Sequence, residues 1–155
     1  MKHSYVTSDA GRASTSVDER LDCAVRALAL STGMSYGEAH QICADAGRRP
    51  RRIMRPSAVH AVFANHAEGS WVSFLDRRPE KRPTVAQLIR DLSAGRHIFK
   101  VKGHVFAVVD GVCFDVFPEP APRRRVEGYW TMRAVAAPTM PFIARANGRQ
   151  QLELA

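Results

Sequence analysis

The stretch "GHVFAVVDGVCFD", residues 103–115, decides how this chain folds. Two runs rich in β-branched and aromatic residues flank Asp110-Gly111. Asp-Gly in that setting is the strongest short-range signal for a hairpin closed by a two-residue loop. Val109 then faces Val112, Val108 faces Cys113, Phe106 faces Asp115 and His104 faces Phe117. Directly opposed residues share a face, and side chains alternate along each strand. One face therefore carries His104, Phe106 and Val108 together with Cys113, Asp115 and Phe117, and His104 and Asp115 become diagonal neighbours within reach of each other. A bulged, longer loop would shift this register.

Working outward, Ile98 to Val101 reads as a strand before the hairpin and "VEGYWTM" (126–132) as one after it, across the loop "PEPAPRRR" (118–125). "SWVSFL" (70–75) reads as a short strand. The preceding "PTVAQLIRDLSAG" is a punctuated helix: Thr84 caps it, Gln87 completes a capping box and Gly95 stops it. A further helix is expected over Ser57–His66, with Val59, Val62 and Phe63 as its apolar side. Helices come first and a meander of strands follows, which places the chain in the α+β class.

The N-terminal half opens on "ERLDCAVRALALSTGMSYGEAH" (19–40), which reads as two helices. The first is expected over Glu19–Thr32. Between Asp22 and Ser31 only Arg26 is charged, the pattern of a helix buried nearly all round. Gly33 ends it; Ser35 with Glu38 forms a capping box for the second, which runs to about Gly47. Residues 1–18 are polar and small and read as a flexible arm, residues 19–137 as one domain, and residues 138–155 as a tail of unassigned structure.

The composition is that of a globular protein: 155 residues, 45% hydrophobic and 25% charged. No apolar run reaches the ~20 residues of a membrane-spanning helix, and the N-terminus lacks the apolar core of a signal peptide. Three cysteines, Cys23, Cys43 and Cys113, with no CxxC pair, fit reduced thiols in a cytoplasmic protein and give no zinc ligand set. No metal and no cofactor is implied. The net charge is +8, concentrated in "RRPRRIMR" (48–55), "RRPEKR" (77–82) and "RRR" (123–125). Such a field attracts nucleic acid or an acidic protein, and Arg48, Arg49, Arg51 and Arg52 are the candidate binding residues. A solvated basic surface is the plainer alternative.

Cys23 stands where a helix begins. The unpaired N–H groups and dipole of a helix N-terminus favour negative charge, which lowers a thiol pKa and yields thiolate, the true nucleophile. His104 on a neighbouring strand supplies an ion-pair partner or general base, and Asp115 holds its imidazole. The helix-end N–H groups could also receive an oxyanion. Cys113, on the same face as His104, is a rival nucleophile without a helix dipole; Cys43 reads as packed, Asp110 as a turn residue, and Trp71, Tyr129 and Trp130 as core or groove aromatics.

A cysteine opening a buried helix, a much later strand "GHVFAVVDG" and an acidic residue on the next strand resemble the papain-like cysteine peptidase superfamily. More narrowly, "LDCAVRALALSTGMSYGEAH" and "TVAQLIRDLSAGRHIFKVKGHVFAVVDGVCFD" resemble small papain-like proteins of phages and bacteria. The likeness covers residues 19 to about 117. It implies a buried N-terminal helix packed on a C-terminal antiparallel sheet, and a Cys23–His104–Asp115 triad. The implied activity is hydrolysis of a peptide or isopeptide bond in a protein or peptide substrate, through a thioester. The same fold hosts acyl transferases and inactive binding modules. One element of the pattern is missing: "STSVDERLD" before Cys23 holds no Gln or Asn to donate to an oxyanion, a role left to Ser16 or a backbone amide.

Overall fold

The computed structural model describes residues 4–17, 19–116 and 123–135. Among the described residues, four α-helices and a six-stranded sheet make up an α+β fold. The helices are α1 (Cys23–Thr32), α2 (Tyr36–Asp45), α3 (Pro56–His66) and α4 (Val85–Asp91). The strands are β1 (Ser4–Thr7), β2 (Val72–Ser73), β3 (Arg96–Val101), β4 (His104–Val109), β5 (Val112–Asp115) and β6 (Val126–Thr131). Their order in the sheet is β1-β5-β4-β3-β6-β2, antiparallel throughout except for the β1–β5 pair.

The Asp110-Gly111 hairpin has the expected register. Val109 pairs with Val112, Val108 with Cys113 and Ala107 with Phe114. Both loop residues take positive φ, 49° at Asp110 and 78° at Gly111, as a tight hairpin turn of this hand requires. The Asp110 carboxylate accepts the Gly95 N–H at 2.9 Å, which confirms its role as a turn residue. Phe117, expected opposite His104, lies outside the described residues, as does the tail 138–155.

The sheet carries a core on each face, because its central strands are buried on both. On one side Ile98, Val105 and Trp130 pack against α1, α2 and α3, with Leu28 and Phe63 wholly buried. On the other, Phe99, Phe106, Val108 and Cys113 pack against α4 and Phe74. α1 lies directly on β4 and is buried over most of its surface, as its nearly all-apolar sequence requires. Burying Leu28 alone contributes about 1.5–3 kcal/mol. α1 ends on Gly33 (φ 84°), whose N–H reaches the Ala29 carbonyl at 2.8 Å. The capping boxes of Ser35 with Glu38 and of Thr84 with Gln87 are both formed.

Four expectations need correction. The N-terminal segment, read as a free arm, supplies β1 and a short 3₁₀ turn at Arg12–Ser14. α1 starts at Cys23 rather than Glu19, because Glu19 is drawn off the helical path by Arg48 and by the Arg51 N–H. α3 starts one residue early, at Pro56, a residue preformed for the first helical position. α4 stops at Asp91, and Gly95 (φ 94°) serves the turn into β3 instead. No helix among the described residues is long and apolar enough to cross a membrane.

Candidate active site

Cys23 is the first residue of α1, with Asp22 as its N-cap. The first intrahelical bond is Arg26 N–H to Asp22 O, at 3.0 Å, so the N–H groups of Cys23, Ala24 and Val25 precede the ladder. The half-buried Cys23 thiol is hydrogen-bonded to His104, the first residue of β4, and receives the Val105 backbone N–H. His104 Nε2 meets Asp115 Oδ2 at 2.6 Å. The structure thus brings together the three residues that the hairpin register and the helix start had singled out.

Burial opposes charge on Cys23, but the His104 bond and charge, the Val105 N–H and the Arg26 charge outweigh it, and the thiol pKa lies below its ordinary value. Burial likewise disfavours imidazolium, yet the hydrogen bonds to Asp115 and Cys23 push His104 up to about 9. Both shifts run toward the charged forms, thiolate at Cys23 and imidazolium at His104. The other two thiols behave oppositely. Burial pushes Cys43 up to about 11, and burial with the nearby Asp115 charge pushes Cys113 up to about 12. Cys113 is fully buried within β5, which removes it as a rival nucleophile.

Asp115 is 1% exposed and fully engaged. Oδ2 takes His104, while Oδ1 accepts Arg26 Nη1 at 2.8 Å and the Val116 N–H at 2.8 Å. Burial raises its pKa, but these partners outweigh it and hold the carboxyl below its ordinary value. Arg26 turns its Nε to Asp22 Oδ1 at 3.0 Å. Asp22, wholly buried, also accepts Arg12 Nη1 at 3.0 Å and the Tyr36 hydroxyl at 2.8 Å. Alternating charges thus run Arg12, Asp22, Arg26, Asp115, His104, Cys23. Sequence reasoning missed Arg26, Asp22, Arg12 and Tyr36. The available signal was Arg26 itself, the sole charge on an otherwise apolar helix and four residues beyond Asp22.

A cavity of about 200 Å³ opens at Cys23 and His104. Its walls are mainly apolar, with Leu21, Ile53, Met54, Val59 and Trp130, and it also meets His60 and Lys100. Of the three aromatics considered for a groove, Trp130 lines it. Trp71 stacks behind Trp130 with ring centroids 4.0 Å apart, and Tyr129 packs against Phe99 in the opposite core.

The basic loop is not uniform. Arg48 is buried and binds Glu19 with both terminal nitrogens, at 2.9 and 3.0 Å, so it is a structural cross-link and not a docking residue. Arg49, Arg51 and Arg52 are exposed. No cluster of three or more His, Cys, Asp or Glu able to hold a metal occurs among the described residues. Comparison with family models, with curated proteins and with solved structures finds no match to this chain.

Proposed function

We propose that this protein is a small papain-like cysteine hydrolase that cleaves a peptide or isopeptide bond. The observation that carries the reading is the continuous Cys23–His104–Asp115 contact at the mouth of a cavity, with the cysteine on a helix N-terminus. The Cys23 thiolate attacks the substrate carbonyl carbon, forming an S–C bond, while the oxyanion is received by N–H groups of the first turn of α1. These backbone donors take the place of the absent Gln or Asn side chain. His104 then gives its proton to the leaving amine as the C–N bond breaks, leaving a thioester. Water attacks the thioester, His104 takes its proton, and the S–C bond breaks to release the acid and restore the thiolate–imidazolium pair. Asp115 keeps the imidazole oriented and stabilises its positive form throughout, and Arg26 positions Asp115.

The test is the rate of iodoacetamide alkylation of each cysteine against pH, read by mass spectrometry in the wild type and in His104→Ala. Cys23 is expected to react well below pH 8, ahead of Cys43 and Cys113, and to lose that lead without His104. A Cys23 that titrates as an ordinary thiol in both proteins would overturn the proposal. A purely nucleic-acid-binding module, the competing reading of the basic charge, has no use for this thiol.

A further inference from the structure

The surface around the cavity carries information about what the site takes. Three depressions meet at Ile53: the cavity beside Cys23, one lined by Arg49, Arg52 and Arg55, and one lined by Pro50 and Arg51. The second shares Met54 with the cavity and the third shares Leu21. Among the described residues, no carboxylate lines any of the three. At the junction two large aliphatic side chains stand out in solvent, Leu21 at 49% and Ile53 at 72% exposure. Exposed aliphatics at the rim of an apolar cavity mark a contact surface. A cavity of about 200 Å³ is below the ~300–1,000 Å³ of sites that enclose a whole small-molecule ligand, and suits a single side chain.

Resting on the hydrolase reading, we infer that the substrate is an acidic polypeptide segment, which seats one apolar side chain in the cavity and lays flanking carboxylates along Arg49, Arg52 and Arg55. Charge complementarity selects the acidic flank, and the purely cationic and apolar walls repel nothing in it while opposing a basic one. A single-stranded nucleic acid would satisfy the arginines but needs exposed aromatic platforms for its bases. The rim offers aliphatics instead, and the cavity's indole, Trp130, is 1% exposed.

The experiment is protection of Cys23 in the full chain against iodoacetamide by end-blocked octapeptides. All carry one central Leu, flanked by Asp/Glu, by Ser/Ala or by Lys; a fourth has acidic flanks and a central Ser. The Leu peptide with acidic flanks is expected to protect at about tenfold lower concentration than the neutral one, and to lose that advantage near ~0.5 M salt as screening shortens the field. The central-Ser peptide is expected to protect poorly. In an Arg49→Glu/Arg52→Glu protein, which alters only exposed side chains, preference is expected to shift to Lys flanks. Equal protection by all flanks overturns the inference, as does equal, salt-sensitive protection by oligo-dT. Failure of the hydrolase reading is separately visible: without peptide, Cys23 then alkylates as an ordinary thiol, while selective protection remains measurable.

Discussion

Two regions of this molecule are built from the same three kinds of side chain. In one, Glu19 lies between Arg48 (2.9 Å) and His40 (2.8 Å). In the other, Asp115 lies between Arg26 (2.8 Å) and His104 (2.6 Å). Both carboxylates are buried, and both have pKa values below the ordinary range. The Arg48 bond chiefly draws Glu19 down to about 2. What differs is the far side of the histidine. His40 leans on the Tyr36 ring, 5.9 Å between centroids, whereas His104 meets a thiol on a helix N-terminus beside a cavity. An arginine–carboxylate–histidine bridge is thus a cross-link by default. It becomes a candidate catalytic device only where its histidine is handed a nucleophile and a space for substrate.

That contrast can be broken most forcefully at the nucleophile. Cys23→Ala is expected to abolish hydrolysis, a loss on the order of 10⁶-fold in kcat, with the urea midpoint nearly unchanged; surviving turnover would put the chemistry elsewhere. Asp115→Asn comes next, at about 10²–10⁴-fold in kcat, because the imidazolium loses its counter-charge. The matching change in the other bridge, Glu19→Gln, leaves Arg48 buried without its carboxylate and should cost about 3–5 kcal/mol in urea unfolding, while the alkylation profile of Cys23 keeps its shape. A collapse of that profile would mean the two bridges are coupled. His40→Ala has the smallest expected effect, turnover within about twofold of wild type.

Alkali separates the bridges as well, whereas acid acts on both, because Asp115 shares the lowered pKa of Glu19. Glu19 has a lowered pKa, so its stabilisation is complete above the ordinary 4.5 and is lost as pH falls toward about 2. His104 has a raised pKa, so its stabilisation is complete below the ordinary 6.5 and is lost as pH rises through about 9. Unfolding midpoints followed against pH should therefore show Glu19→Gln flattening the acid limb in part, the remainder belonging to Asp115 and Asp22, and His104→Ala flattening the alkaline one. Turnover by the proposed mechanism, which uses thiolate with imidazolium, should fall on the acid side with the lowered Cys23 pKa and on the alkaline side near pH 9.

Much of the candidate site was legible because its cues are local. Asp110-Gly111 fixes the register of β4 on β5 as far as Ala107–Phe114, and His104 and Asp115 meet just beyond the last paired residues. The run after Asp22, charged only at Arg26, marks a buried helix, and the structure starts that helix at Cys23 rather than at the expected Glu19. What stayed hidden depends on partners far apart in sequence. Arg48 reads as one more exposed arginine until Glu19, 29 residues away, is folded against it. Arg26 reads as an isolated charge until β5 arrives. β1 escaped because "SYVT" is four residues long and pairs in parallel, an arrangement with no turn to announce it.

The Arg26–Asp115 contact spans 89 residues of chain. Contacts of such separation form only after the entropy of closing a long loop has been met, and they come late in folding. During synthesis Cys23 emerges long before His104 and Asp115 exist to activate it. Until the C-terminal hairpin is made and docked, the thiol is an ordinary one, with its ordinary high pKa and slow chemistry. The nascent chain thus carries Cys23 without the partners that lower its pKa, and completion of the fold is the event that supplies them.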